Sequence, residues 1–224
     1  MSQPRDDGTR DRILNAAGAV FADHGFEKAT IREIVTRAEV NLAAVNYHFG
    51  DKERLYRATI RYAHELASGE VPFPEWHPES TPPEIRLREF IHITMQRMMV
   101  IQRLPWHSRL MMRETMMRET TVPTEACREM AEEYIRPHFQ VLQEILSEML
   151  PPDTPPQRLY QLAFSVIGQC LFYKVSCPVV EILVPPGELK EHYTPPKLAD
   201  HIADVMLAAL GRQDLIAASE EAQT

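Results

Sequence analysis

Glycine is scarce in this 224-residue chain: there are eight, with no GxG run. The glycine-rich loops that cradle phosphates have no footing here. Cysteine is scarcer still. Cys127, Cys170 and Cys177 are odd in number and form no CxxC pair, which excludes a disulfide scaffold and fits a reducing, cytoplasmic compartment. The nine histidines show neither HxxxH nor HExxH spacing, so no metal site and no cofactor are expected. No nucleophile–base pair stands out, and the chain does not read as an enzyme. Positive charge is lacking too. The net charge of −8 argues against a protein that coats nucleic acid by bulk attraction. The N-terminal MSQPRDDGTRD has no apolar run, so no signal peptide is expected. The most apolar stretch, 162–184, contains Lys174 and Pro178. A lysine near the centre of a bilayer costs about 2.5–3.5 kcal/mol, so this stretch reads as a buried helix followed by a loop, with no membrane partner.

What remains is an ordinary globular composition, 44% hydrophobic and 25% charged. At 25.8 kDa it makes one large domain or two modest ones. Proline divides it. None occurs between Pro4 and Pro72, and then Pro72, Pro74, Pro78, Pro82 and Pro83 follow closely. Such a cluster reads as a linker. Residues 1–65 are electrically neutral, and the acidic excess lies wholly beyond them, so the two parts are expected to meet different partners. The division expected is 1–66, a connecting segment 67–82, and 83–224, all of it α-helical.

The first part reads as four helices. Ile13, Leu14, Ala17, Val20 and Phe21 recur at helical spacing, with Gly25 as the stop. Thr30-Ile31-Arg32-Glu33 is a capping box opening a short helix to about Ala38. Asn41 caps a second short helix to about Phe49, Gly50 breaks it, and Asp51 caps a fourth. In the second part, helices are expected at about 83–103, 105–120, 124–149, 155–176 and 195–218. Pro137 should kink or break the third of these, because it removes an N–H and crowds the Glu133 carbonyl. The run Val179–Val184 is read as extended loop or irregular helix.

The helix pair from Thr30 to Lys52 has the length and turn of a helix-turn-helix, whose second helix enters the major groove of DNA. Val45 and Phe49 face inward with Val40, which leaves Leu42, Ala43, Asn46 and Tyr47 outward. Asn46 can make a bidentate bond to adenine. Tyr47 and His48 can bond phosphate oxygens, Lys52 adds a cation, and the helix N-termini at Thr30 and Asn41 offer N–H groups to phosphates. Residues 28–61 carry a local charge of +3. Any small helical domain can show such a pair, so spacing alone leaves the question open.

The motifs carry it further. Ile13-Leu14-x-Ala16-Ala17, Phe21-x-x-x-Gly25-Phe26, Thr30-Ile31-x-x-Ile34 and Asn46-Tyr47-His48-Phe49-x-Asp51-Lys52-Glu53-x-Leu55 resemble the N-terminal domain of the TetR family of transcriptional repressors. Asn41–Gly50 and Ile167–Tyr173 resemble its CecR-like (YbiH-like) branch. Two positions depart from the family pattern. Glu39 stands where glycine is usual in the turn, at a cost of about 1–2 kcal/mol if the turn needs a left-handed residue there, and Asn46 where an aromatic is frequent. The resemblance implies a second domain that binds a small molecule and pairs two chains.

Seven methionines lie between residues 95 and 117. Methionine adapts to irregular apolar shapes, and Phe90, Met95, Met99, Trp106, Arg109, Met112 and Met116 are the candidate ligand residues, with plain core packing as the alternative for most. Arg109 and Arg113 suit an anionic ligand, Glu114 or Glu119 a cationic one. Glu114 four residues before Arg118 reads most simply as a surface pair. For the dimer, helix 155–176 is apolar nearly all round, and Gly168 permits close approach. Leu162, Val166 and Cys170, with Ile202, Val205, Met206 and Ala209 of the last helix, are the candidate interface. The expectation is a homodimeric repressor of an inverted-repeat operator, released by a small apolar effector. The alternative is a helical ligand-binding or scaffolding protein that no longer meets DNA.

Overall fold

The computed structural model describes residues 4–99, 106–115 and 124–212. The ordered elements among these are helices, with no strand. They fall into two compact units, residues 1–69 with 102–136, and residues 70–101 with 137–224.

The first unit contains α1 (Pro4–Lys28), α2 (Ile31–Ala38), α3 (Leu42–Phe49), α4 (Lys52–Glu70), α6 (His107–Thr115) and α7 (Glu125–Met130). Gly25, at φ 76° and ψ 172°, breaks the helical path of α1 near its end. The caps expected at α2, α3 and α4 form. Thr30 Oγ1 accepts the Glu33 N–H at 3.2 Å, Asn41 Oδ1 that of Ala44 at 2.9 Å, and Asp51 Oδ1 that of Arg54 at 2.8 Å. Each is worth about 1 kcal/mol against alanine. The capping box is one-sided, since the Glu33 carboxylate turns to His24 Nε2 at 3.0 Å.

Ile13, Leu14, Val20 and Phe21 of α1 meet Ile34, Val45, Phe49, Leu55 and Ile60 in one buried core. That core also takes in Trp106 just before α6, Leu110 from α6, and Ala126 and Met130 from α7. The compact units therefore do not follow the proline cluster, because residues 102–136 group with the N-terminal helices. Nor is the segment after α4 a bare spacer. Phe73 and Trp76 pack against the core of the second unit.

That second unit is built on α5 (Pro83–Met99), α8 (Arg136–Glu148), α9 (Pro156–Val175) and α12 (Pro195–Ala209). Leu87, Phe90, Ile91 and Met95 of α5 are buried with Leu142 and Ile145, Leu162, Val166 and Cys170, and Leu198, Ile202 and Met206. Burial pushes the Cys170 thiol up to about 12, which marks it as packing rather than a redox group. Between α5 and α12, Arg88 reaches Asp204 at 2.5 Å and Asp200 at 3.4 Å.

Pro137 does not break its helix. The chain widens into a π turn over Ala131–Ile135 and continues as α8, which absorbs the missing N–H and the crowded Glu133 carbonyl. The run read as extended loop or irregular helix is helical, as α10 (Cys177–Leu183), followed by α11 (Pro186–His192). Pro156, Pro178, Pro186 and Pro195 occupy the first turns of α9 to α12, where proline starts a helix rather than ending one. Between α9 and α10 the path bends by 73°. Among the described residues no single helix is long and apolar enough to cross a membrane; only that bent pair together has the length and composition.

The candidate dimer residues need correction. Leu162, Val166, Cys170, Ile202 and Met206 are buried within their own chain. Because α9 is apolar on two sides, the sequence could not show which side stays inside. The side left open carries Tyr160, Phe164, Phe172 and Val175, with Val205 and Ala209 exposed on α12.

Candidate nucleic-acid interface

The outward face of α3 is the one expected. Val45 and Phe49 are buried, while Leu42, Ala43, Asn46 and Tyr47 are exposed. Tyr47, at 78% exposure, projects beyond the helix, and its ring meets His48 edge-on. Asn41 Oδ1 holds only the Ala44 N–H, so the two preceding N–H groups of α3 point out of its N-terminus. Anions are favoured there by those donors and by the helix dipole. Thr30, exposed, opens α2 in the same way.

Lys52 has a more specific setting than a mobile surface cation. Its Nζ donates to the Glu27 carbonyl at 3.1 Å and lies 4.7 Å from the Phe26 ring centre. An ammonium has three donors, so one bond to the end of α1 fixes its position and leaves others to meet a phosphate. The other cations of this region are largely matched within the unit. Arg37 pairs with Asp23 at 3.7 Å, Arg54 with Asp51 at 3.5 Å, Arg61 with Glu133 at 3.6 Å, and Arg57 with Glu129. The local excess of +3 therefore overstates the free charge facing outward.

Glu39 confirms the strain expected of the turn. It sits at φ 53° and ψ 45°, a left-handed conformation, and no other non-glycine described residue has positive φ. Such a conformation costs about 1–2 kcal/mol for an L-residue. Glu39→Gly is expected to raise the unfolding free energy by about 1 kcal/mol, once glycine's extra freedom in the unfolded chain is set against the relief. It should also tighten binding to DNA of any sequence by removing a carboxylate beside α3. A urea midpoint that falls in the variant would contradict this.

The candidate ligand residues are divided between the units. Phe90 and Met95 are fully enclosed in the core of the second unit, with Met99 half-buried. Trp106 lies in the core of the first unit and Met112 is half-buried there. Met116 lies outside the described residues. The charged candidates are engaged as well. Arg109 pairs with Asp23 at 3.0 Å. Arg113 donates to the Ala22 and Asp23 carbonyls at 3.3 and 3.2 Å, a position at the end of α1 that favours a cation. Glu114 does not lie at the surface, and Arg118, its expected partner, is outside the described residues. The Glu114 carboxylate is buried, accepting the Tyr56 hydroxyl at 2.6 Å and also that of Thr124.

The comparisons with known proteins agree with this geometry. Residues 13–59 match the family "Bacterial regulatory proteins, tetR family". Residues 83–210 match the C-terminal domain of the HTH-type transcriptional dual regulator CecR. The CecR regulator of Shigella flexneri is 26% identical over 172 residues, covering 75% of this chain and 76% of its own length. The transcriptional repressor AcnR of Corynebacterium efficiens is 42% identical over 53 residues, 24% of this chain. The chain spans only 28% of that repressor's length.

Among solved structures, AibR in complex with isovaleryl coenzyme A and operator DNA is similar at a TM-score of 0.61 and 20% identity, covering 88% of this chain and 97% of its own. A TetR-like regulator from Rhodococcus sp. RHA1 is similar at 0.63 and 17% identity, covering 91% of this chain and 96% of its own. These likenesses speak for the fold. With a family match over more than half its length, the chain belongs to the TetR family of transcriptional regulators, in the branch defined by the CecR C-terminal domain.

Proposed function

We propose that this chain is a cytoplasmic repressor that binds an inverted-repeat operator as a homodimer and leaves it when a small effector binds the second unit. The observation that carries this reading is α3 itself, capped at Asn41, anchored by Val45 and Phe49, and presenting Asn46 and Tyr47 outward. A helix held in that way reads base edges with little loss of side-chain freedom on binding. Asn46 reads a base. Thr30, Tyr47, His48, Lys52 and the Asn41 end of α3 meet the backbone, while Leu42 and Ala43 allow close approach to the bases. Effector control draws support from AibR, which is seen with both a coenzyme A thioester and operator DNA. Release requires the effector to bind the DNA-free state more tightly, by a few kcal/mol.

The test is footprinting on the DNA flanking the coding region, with variants. Asn46→Ala is expected to change base preference at one position of each half-site, by about 1–3 kcal/mol. Lys52→Gln is expected to weaken all sequences alike and to lower the slope of log affinity against log salt by roughly 1. Uniform loss in the asparagine variant would remove its base-reading role. No protected site at low salt would remove the reading as a whole.

A further inference from the structure

Arg97, near the end of α5, is half-buried in surroundings unlike those of the other arginines packed in its unit. Arg86 pairs with Glu148, Arg88 with Asp200 and Asp204, and Arg212 with Glu84. Arg97 meets no carboxylate among the described residues. Its Nε donates to the Val71 carbonyl at 2.7 Å, and its Nη1 lies 3.1 Å from His138 Nε2. A guanidinium only donates, so that imidazole nitrogen is the acceptor and the ring is neutral there. Of five N–H donors, these two contacts leave the Nη2 pair and one on Nη1 without a partner among the described residues, an edge shaped for a carboxylate. Burial lowers the Arg97 pKa from its ordinary value, as befits a charge partly stripped of water.

The walls around this cation are aromatic. Its Cζ lies 4.2 Å from the Phe73 ring centre. Phe73 stacks on Phe90 at 5.0 Å and 19°, and meets His138 at 5.0 Å and Trp76 at 5.7 Å. Trp76 is fixed in turn by donating its Nε1–H to Glu89 at 2.5 Å. One positive charge beside a neutral imidazole suits a monoanion better than a phosphate dianion, and the rings suit a flat apolar body.

We propose that Arg97 anchors an effector site for aromatic monocarboxylates, the carboxylate taking the open guanidinium edge and the ring lying along the Phe73–Trp76 wall. This rests on the reading of the second unit as effector-binding. Arg109 and Arg113, the anion selectors suggested by sequence, are committed to α1.

The test uses the full chain without DNA, with benzoate, benzyl alcohol and phenylphosphonate as probes in saturation-transfer NMR titrations. Benzoate is expected to bind best. Arg97→Gln should weaken it by on the order of tenfold or more while leaving benzyl alcohol unchanged. Arg97→Lys keeps the charge and should recover part of the loss, which separates recognition from misfolding. Benzoate binding that is absent from the parent chain or unchanged in Arg97→Gln overturns the proposal, as does a preference for phenylphosphonate. A parent chain that footprints but binds no benzoate condemns this site alone. Benzoate binding in a chain with no protected DNA condemns the operator reading instead.

Discussion

Replacing Phe164 with arginine is expected to leave the proposed dimer as single chains and to lower affinity for an inverted-repeat site on the order of a hundredfold or more. Phe164 stands on the open side of α9, 63% exposed, one turn from Tyr160 at 49% and two turns from Phe172 at 51%. Between them is Gly168, where an added Cβ would meet nothing within 4 Å, so a second helix can approach closely. Val205 continues the apolar surface on α12, and Gln169 bonds Met206 at 3.2 Å, which sets the two helices side by side. A lone chain would leave this stripe in water. In the proposed dimer, two copies related by a two-fold axis would cover it with four helices.

An arginine at this position is tolerable in the single chain. Its planar group can lie on Phe139, whose ring is 5.0 Å from that of Phe164, and exposed substitutions usually shift stability by about 0.5 kcal/mol or less. In a dimer it would place like charges together at the axis. The magnitude comes from avidity, because joining two half-site readers multiplies affinity by about 10²–10⁴. Sedimentation equilibrium at micromolar concentration measures the mass. A Phe164→Arg chain that still pairs would mean that another face makes the dimer.

How much could be read in advance differs between the units for a physical reason. In the first, short-range rules settle most of it. Thr30, Asn41 and Asp51 are caps whose acceptors lie three residues from their donors, and Val45 and Phe49 are four apart on a helix with one inward face. Glu39 was legible as a strained turn because one missing glycine is a local fact. In the second unit the decisive contacts are remote in sequence. α9 has two apolar sides, and only α5, α8 and α12 determine that Leu162, Val166 and Cys170 go inward. Proline is ambiguous for a similar reason, since the same residue ends one helix and opens the next.

Arg97 gave no signal within its methionine-rich run. Its meaning comes from Phe73 and His138, 24 residues before and 41 after. Trp106, beyond the proline cluster, seemed to belong to the ligand domain. What places it in the first unit is a glycine 88 positions earlier in the chain.

That glycine, Gly18, supports the other large expectation. A Cβ at position 18 would lie 2.4 Å from three ring carbons of Trp106, well inside contact distance, so the indole or the α1 backbone must move. Gly18→Ala would ordinarily strengthen a helix by up to about 1 kcal/mol. Here it is expected to lower stability, because forcing atoms into a packed core costs typically about 1–3 kcal/mol. The effect should reach DNA binding. α1 shares one buried core with Trp106, with Leu110 of α6 and with Val45 and Phe49 of α3. A shift of α1 away from the indole therefore disturbs the seat of the reading helix. The partner substitution isolates the cause: Trp106→Leu alone leaves a cavity, whereas Gly18→Ala with Trp106→Leu fills part of it. The double variant should then be more stable than the sum of the two single losses implies. Denaturant midpoints of the four proteins measure this, and a strictly additive cycle would show that the approach of α1 to α6 is not what glycine at position 18 provides.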